Sequence, residues 1–324
     1  MIDSLRLRLA AALAAALPLA LAAQQNFPTR PVTLTVGFAP GGGTDTAARV
    51  IAKKLTDNIG QVVVVENKAG AGGNIAAEDI ANAPPDGYKI HLTSVGPMTV
   101  APAMTKDLRY DPKRDIAPIT MGVVFPNVMV VHPGVPVKTL ADWVALARKE
   151  PGKHTFGSSG IGGAGHLSGE LFNQAAKVDI LHVPYKGGGP AMTDLLGGRI
   201  DMYIAVPSTA QSHIEAGKIR ALATTGAKRT ATMPDVPTVA EQGYPGFEAT
   251  NWYAFVAPGK TPRAIIDFWN REIVRVLKDP EIAKELAKHG FEPQPGTPEE
   301  LAKYMAAETE KWARVVREAK ITAE

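Results

Sequence analysis

The chain is 324 residues long, 45% hydrophobic and 21% charged, which suits a globular protein of two domains. Its 35 basic and 32 acidic residues leave a formal net charge of +3 with no basic block, so neither nucleic acid nor a membrane surface is an expected partner. Cysteine is absent, which excludes disulfides, thiolate metal sites and cysteine nucleophiles together.

Arg6 and Arg8 precede an uncharged apolar run, Leu9 to Ala23, and Ala20-Leu21-Ala22 supplies a small-x-small cleavage pattern. Residues 1–22 are therefore expected to be a cleaved signal peptide; a retained membrane anchor is the alternative. No cysteine stands at the cleavage point, so lipidation is excluded.

The apolar run Val32 to Val36 leads into Phe38-Ala39-Pro40-Gly41-Gly42-Gly43-Thr44-Asp45, and a helical pattern through Ala47, Ala48, Ile51 and Leu55 leads out. Strand, glycine loop and helix together aim free N–H groups and the positive end of a helix dipole at an anion. The plainer reading is a tight turn with Thr44 or Asp45 as the helix cap. Two further loops of this kind follow, Ala69-Gly70-Ala71-Gly72-Gly73-Asn74 and Ser158-Ser159-Gly160-Ile161-Gly162-Gly163-Ala164-Gly165. Three such loops suggest one site for an acidic small molecule, built from two halves of the chain.

Between the first two loops, Gln61 to Glu66 reads as a buried strand, and Asn74 to Asn82 as a helix capped by Asn74. Tyr88 to Thr93 is the next strand, ending in Ser94. Strands alternating with helices at this spacing imply parallel sheets covered on both faces. The run Val123 to Val131 is long for one strand and is read as a crossing between domains. The alternation restarts beyond it with a capping box at Thr139–Asp142, strands at His154–Gly157, Ile180–Tyr185, Ile200–Val206 and Ile219–Thr225, and helices between them. Lys186-Gly187-Gly188-Gly189-Pro190 opens one of these helices, with proline read at its first position. Asn251 to Ala257 reads as the return crossing. The tail is helical, and Thr297-Pro298-Glu299-Glu300 opens its last helix.

Catalytic motifs fail one by one. The dinucleotide fingerprint begun by Gly70 and Gly72 meets Ile75 where its last glycine belongs. No G-K-[ST] follows Gly41–Gly43, and Ile161 breaks a nucleophile elbow at Ser159. The seven histidines include no helical H-x-x-x-H pair. His166 alone opens a helix behind a glycine loop, where it can point into a cleft or merely cap and pack. Hydrogen-bond donors are abundant and catalytic groups are not, so a binding protein is expected over an enzyme, with no cofactor and no metal.

Several stretches together carry a family resemblance. They are Phe27-Pro28-Thr29-Arg30-Pro31, Gly37 to Asp45, Val65-Glu66-Asn67-Lys68 with the second glycine loop, Pro85-Asp86-Gly87-Tyr88, Ser158-Ser159-Gly160, His166-Leu167, His182 to Gly187, and Pro234 to Thr238. Over the whole mature chain the sequence resembles the periplasmic receptors of tripartite tricarboxylate transporters, the Bug-type solute-binding proteins. The resemblance implies an α/β chain with the type II periplasmic-binding-protein fold: two Rossmann-like lobes joined by two crossing strands, with the ligand cleft between them. Residues 23–125 and 253–324 would form lobe 1, and residues 126–252 lobe 2.

The resemblance further implies a monomeric periplasmic receptor that binds a small organic carboxylate and delivers it to transporter membrane subunits. The alternatives are a sensor without a transporter, an enzyme on this fold, or an exported structural protein. Carried over residue by residue, lobe 1 would contribute Phe38, Gly42, Gly43, Ala71, Gly72 and Ser94. Lobe 2 would contribute Asn127, Ser158, Gly163, Ala164, His166 and Tyr185. The sequence departs from the family at Ile161–Gly165, richer in glycine than usual, and at Ile204-Ala205-Val206, where a polar pair is common. Asp45 is the only acid in the stretches assigned to the cleft, and its place at a helix start commits it to backbone. The expected ligand is therefore a carboxylate without an amino group, either a di- or tricarboxylate or an aromatic acid.

Overall fold

The computed structural model describes residues 27–319, and the leader read over residues 1–22 lies outside them. None of the described helices is long and apolar enough to cross a membrane.

The described chain builds two sheets. The first has the order β11-β4-β10-β3-β1-β2, with β11 the short edge pair Glu292–Pro293, and the second β7-β6-β8-β5-β9. In the first, β1 (Val32–Val36) runs parallel to β2 (Val63–Asn67) and β3 (Lys89–Ser94). Val32, Leu34, Thr35 and Val36 are all buried, as expected of a central strand covered on both faces. The helix Gly43–Ile59 lays Ala47, Ala48, Ile51 and Leu55 on this sheet, a spacing of one helical face. In the second sheet, β6 (Thr155–Ser158) is parallel to β7 (Leu181–Pro184) and β8 (Met202–Ala205).

The chain passes from one sheet to the other at a single residue. The long apolar run is two strands, β4 (Ile116–Pro126) in the first sheet and β5 (Val128–Val131) in the second, broken at Asn127. β5 inserts antiparallel between β8 and β9 (Arg220–Thr224). The return strand β10 (Thr250–Pro258) inserts antiparallel between β3 and β4, so the boundary read between residues 252 and 253 falls inside it. Counted along each lobe's own chain, and leaving out β11 at the edge of the first sheet, the strand order is the same in both: second, first, third, crossing strand, fourth.

Thr225 ties the two crossings together. Its hydroxyl accepts from Asn127 N–H at 2.9 Å and donates to the Ala249 carbonyl at 2.7 Å, while its own backbone bonds the same two residues. The last helix, Pro298–Ala319, opens with the expected reciprocal Thr297–Glu300 bonds. It is pinned to β10 by Glu308, which accepts from the Trp312 indole at 2.8 Å and the Trp252 indole at 3.4 Å.

Two local expectations are corrected. Asn74 does not cap its helix: Gly73 is the N-cap, and Asn74 Oδ1 instead accepts from the Tyr110 hydroxyl at 2.8 Å. The helix after β7 starts at Gly188, which puts Pro190 third rather than first. Both follow from glycines at positive φ, +99° at Gly73 and +147° at Gly187, which stand as N-caps ahead of the residue expected there.

Candidate ligand-binding cleft

The cleft lies where the strands of both sheets end, the usual ligand position in open α/β sheets. Its walls are helix N-termini. The helix Gly43–Ile59 has Gly42 as N-cap, and the helix Ala164–Ala176 has Gly163; neither N-cap residue makes a side-chain capping bond. The first intrahelical bonds are Thr46 N–H to Gly42 at 3.0 Å and Leu167 N–H to Gly163 at 3.1 Å. Preceding first-turn N–H groups therefore stay outside the helical ladder, facing one cavity from opposite lobes. A third uncapped start, Gly188–Leu196 behind Gly187, adds Gly188 to the wall.

Phe38, Gly42, Gly43, Thr44, Ser94 and Asn127 line the cavity with Ser159, Gly163, Ala164, Gly165 and Gly188, and Ile204, Val206, Asn251 and Tyr253 complete it. No Asp, Glu, Lys, Arg or His stands in this lining. Its volume is about 30 Å³, room for roughly two waters, so the lobes are drawn together. Tyr253 sits behind Gly43. Burial pushes its phenol up, against a lowering hydrogen bond with Thr44, and it stays a neutral hydroxyl.

The closing seam is backbone against backbone. Ala39 N–H donates to the Lys186 carbonyl at 3.0 Å across the lobes. A Cβ at Gly187 would collide with Ala39 N at 2.9 Å, and one at Gly160 or Gly189 would press on Gly72 Cα or the Pro40 carbonyl at 3.1 Å. Gly72 is the tightest position. A Cβ there would overlap the Ile161 carbonyl oxygen, and its φ of +63° is a left-handed conformation that favours glycine.

Seven of the residues carried over by resemblance, Phe38, Gly42, Gly43, Ser94, Asn127, Gly163 and Ala164, meet at this cavity. The other five lie behind it or beside it. Ala71 and Gly72 form the seam and face an outer groove of about 400 Å³, whose rim carries the Arg109–Glu78 ion pair at 3.8 Å. Ser158 turns inward, 2.7 Å from His182 Nε2. His166 turns back on its own loop and accepts from Gly162 N–H at 3.1 Å. Tyr185 donates to Asp194 Oδ2 at 2.9 Å, and burial followed by that carboxylate pushes its phenol up to about 12.

Asp45 is spent as expected, and on more than backbone. It accepts from Gly41 N–H at 3.0 Å, from Arg49 and from Asn67 Nδ2. Burial raises its carboxyl, but the bonds from Arg49, Gly41 and Asn67 outweigh burial and hold it below the usual carboxylate range.

Sequence reasoning passed over Asn251 and Tyr253, although two such residues two apart in an apolar strand share one face. It also read the loop at Gly187–Gly189 as a helix start only. Gly188 has Gly42 of the other lobe as a neighbour, a contact no local pattern announces.

Comparison with known proteins agrees with this architecture. Residues 47–321 match the model of the tripartite tricarboxylate transporter family receptor. Protein BugT of Bordetella pertussis is 38% identical over 294 residues, covering 90% of each chain. A structure of an R. palustris protein solved with adipate superposes with a TM-score of 0.89 at 37% identity, covering 91% of this chain and 99% of that one. MatC from Rhodopseudomonas palustris, solved with bound malate, gives 0.85 at 32% identity, covering 90% and 100%. The two-lobed fold, the crossing strands and these matches together make the chain a member of the tripartite tricarboxylate transporter receptor family, alongside the Bug proteins.

Proposed function

We propose that this chain is a periplasmic receptor, not an enzyme, that holds a small organic carboxylate between its lobes for delivery to transporter membrane subunits. One observation carries the reading: two uncapped helix N-termini face each other across a cavity whose lining has no charged side chain. Such termini favour a carboxylate through N–H donors and dipoles. An ammonium would need a carboxylate partner there, and burying it unpaired is costly. Ile204 and Val206 supply apolar wall opposite Gly43, which suits the carbon body of a plain acid. The relatives solved with adipate and malate support a ligand of this class.

Ser94, Asn127, Ser159 and Asn251 are the side chains assigned to orient the ligand, with Gly42, Gly43 and Ala164 donating from backbone. Hydrogen bonds to a charged group contribute about 1.5–3 kcal/mol each, so three or four supply micromolar affinity after the costs of association. Calorimetry on the mature chain with malate, succinate, adipate, citrate and benzoate beside aspartate and glutamate tests this. A plain acid should bind tightest. A preference for either amino acid, or no binding across the panel, would overturn the reading. Intact mass of the exported protein tests the leader, since cleavage near Ala22 removes residues 1–22.

A further inference from the structure

The two glycine loops that open onto the cavity are held by the same device with different chemistry. Counting from the N-caps Gly42 and Gly163, the third helical residue is Asp45 in one lobe and His166 in the other. Each reaches back to the N–H four residues earlier: Asp45 Oδ2 accepts from Gly41 at 3.0 Å, and His166 Nδ1 from Gly162 at 3.1 Å. A carboxylate accepts in any state it normally holds. An imidazole nitrogen accepts only while it carries no proton.

His166 does not stand alone. Its ring stacks on His182 of β7 at 4.0 Å between centroids and 20° between planes. His182 Nε2 lies 2.7 Å from Ser158 Oγ, which accepts from Gly160 N–H at 3.2 Å. The pair thus holds the Gly160–Gly163 loop at both ends, Gly162 directly and Gly160 through Ser158. That loop is half of the seam, with Gly160 against Gly72 and Gly162 against Gly96.

We propose that His166 and His182 are a positioning pair: neutral, stacked imidazoles that keep the lobe 2 glycine loop in its ligand-binding form, so that acid releases this loop before its counterpart.

The surroundings favour neutrality. Both rings are held well below the ordinary histidine value, His166 at about 4 by burial and His182 at about 3 by burial and then by His166. The facing ionisable group on the His166 helix is Glu170, 3.8 Å from His166 Nε2, and burial pushes its carboxyl up. The elements packed on that helix present only Ser158 of β6 and His182 of β7 to these rings among the described hydrogen bonds and ion pairs. A proton entering at His166 Nδ1 removes the acceptor of Gly162 N–H, and a second proton on His182 would set two like charges face to face.

The inference rests on the proposed carboxylate site, and its test separates the two. Backbone amide exchange and ring nitrogen shifts are recorded by NMR from pH 7.5 to 3.5 without ligand, on the wild-type chain, His166→Leu and His166→Asn. Malate and adipate titrations follow on the same proteins. His166→Leu should lose protection at Gly160 and Gly162 at neutral pH and bind the better acid on the order of tenfold more weakly. His166→Asn, which keeps an acceptor near Nδ1, should restore most of both and flatten the acid limb of binding. Wild-type protection at Gly162 should collapse in acid while that at Gly41 persists. Unchanged Gly162 protection in His166→Leu, or equal loss at Gly41 and Gly162 on acidification, would overturn the proposal. If neither acid binds the wild-type chain, the carboxylate reading fails and the amide data still decide the role of the pair.

Discussion

The Gly41–Gly43 loop of lobe 1 and the Gly160–Gly163 loop of lobe 2 follow the first strand of their sheets and end on uncapped helices. They differ in what stands behind them. Lobe 1 uses an ionised network, in which Asp45 is buried while its partner Arg49 is 54% exposed and Asn67 bridges to the Phe38 carbonyl. Lobe 2 uses neutral rings packed under Phe156, which lies 5.0 Å from His182. One backbone geometry is thus supported by an ion pair open to solvent and by a dry stack of imidazoles. The first responds to salt, the second to protons.

The largest effect should come from preventing the loops from meeting. Gly72→Val puts a branched side chain where the Ile161 carbonyl sits and forces it into a left-handed φ. Calorimetry should show a loss of at least about 4 kcal/mol, a thousandfold in Kd, while circular dichroism stays native. A variant that binds normally would remove Gly72 from the closing seam.

Acid separates the loops next. Because the native pKa of His166 lies at about 4, below the unfolded value of 6.5, the unfolded chain binds more protons between these values. The stability from the neutral ring is fully present above pH 6.5 and is lost as pH falls toward 4, in total about 3 kcal/mol for one ring. Asp45 acts lower, since a depressed carboxyl loses its contribution only as pH falls below its ordinary range. Denaturant unfolding between pH 7 and 4 should show the decline in wild type and a shallower one in His166→Asn. A flat profile in wild type would remove the imidazoles from the stability balance.

Exchanging the chemistry sharpens the comparison further. His166→Asp keeps an acceptor but places a carboxylate beside Glu170, with neither Arg49 nor Asn67 to answer it. A loss of about 2 kcal/mol is expected in thermal unfolding, with weaker acid binding, as a buried charge without its partner is costly. The smallest effect belongs to Arg49→Gln. An ion pair with one exposed partner contributes about 0–1 kcal/mol, and its loss should reduce the salt dependence of stability. A cost comparable to that of His166→Asp would show that the lobe 1 loop depends on charge as strongly as lobe 2 depends on packing.

Much of this molecule was legible in its sequence. The apolar run Val123 to Val131, long for one strand, announced a crossing, and the Thr297–Glu300 box announced the last helix, because each signal lies within one contiguous stretch of chain. The glycine loops announced an anion site through the same local logic. Which loops reach the cavity was not legible. Gly188 lines it and Gly72 does not, although each sits in a glycine-rich strand-to-helix turn.

Sequence by itself determined the alternation of strands and helices around the three glycine loops and the run that carries the chain out of the first sheet. It also supplied the residues that open helices without a side-chain cap. Tertiary structure alone decided that Asp45 and His166 hold equivalent positions, because no sequence repeat links the two loops and the equivalence appears only when the sheets are laid strand by strand. It alone paired His166 with His182, sixteen residues on in the chain, and turned Ser158 inward while Ser159 faces the cleft. The physical reason is reach. Capping and strand alternation act over four residues or fewer, whereas a closed cleft is made by contacts between segments that only the packed lobes bring within 4 Å.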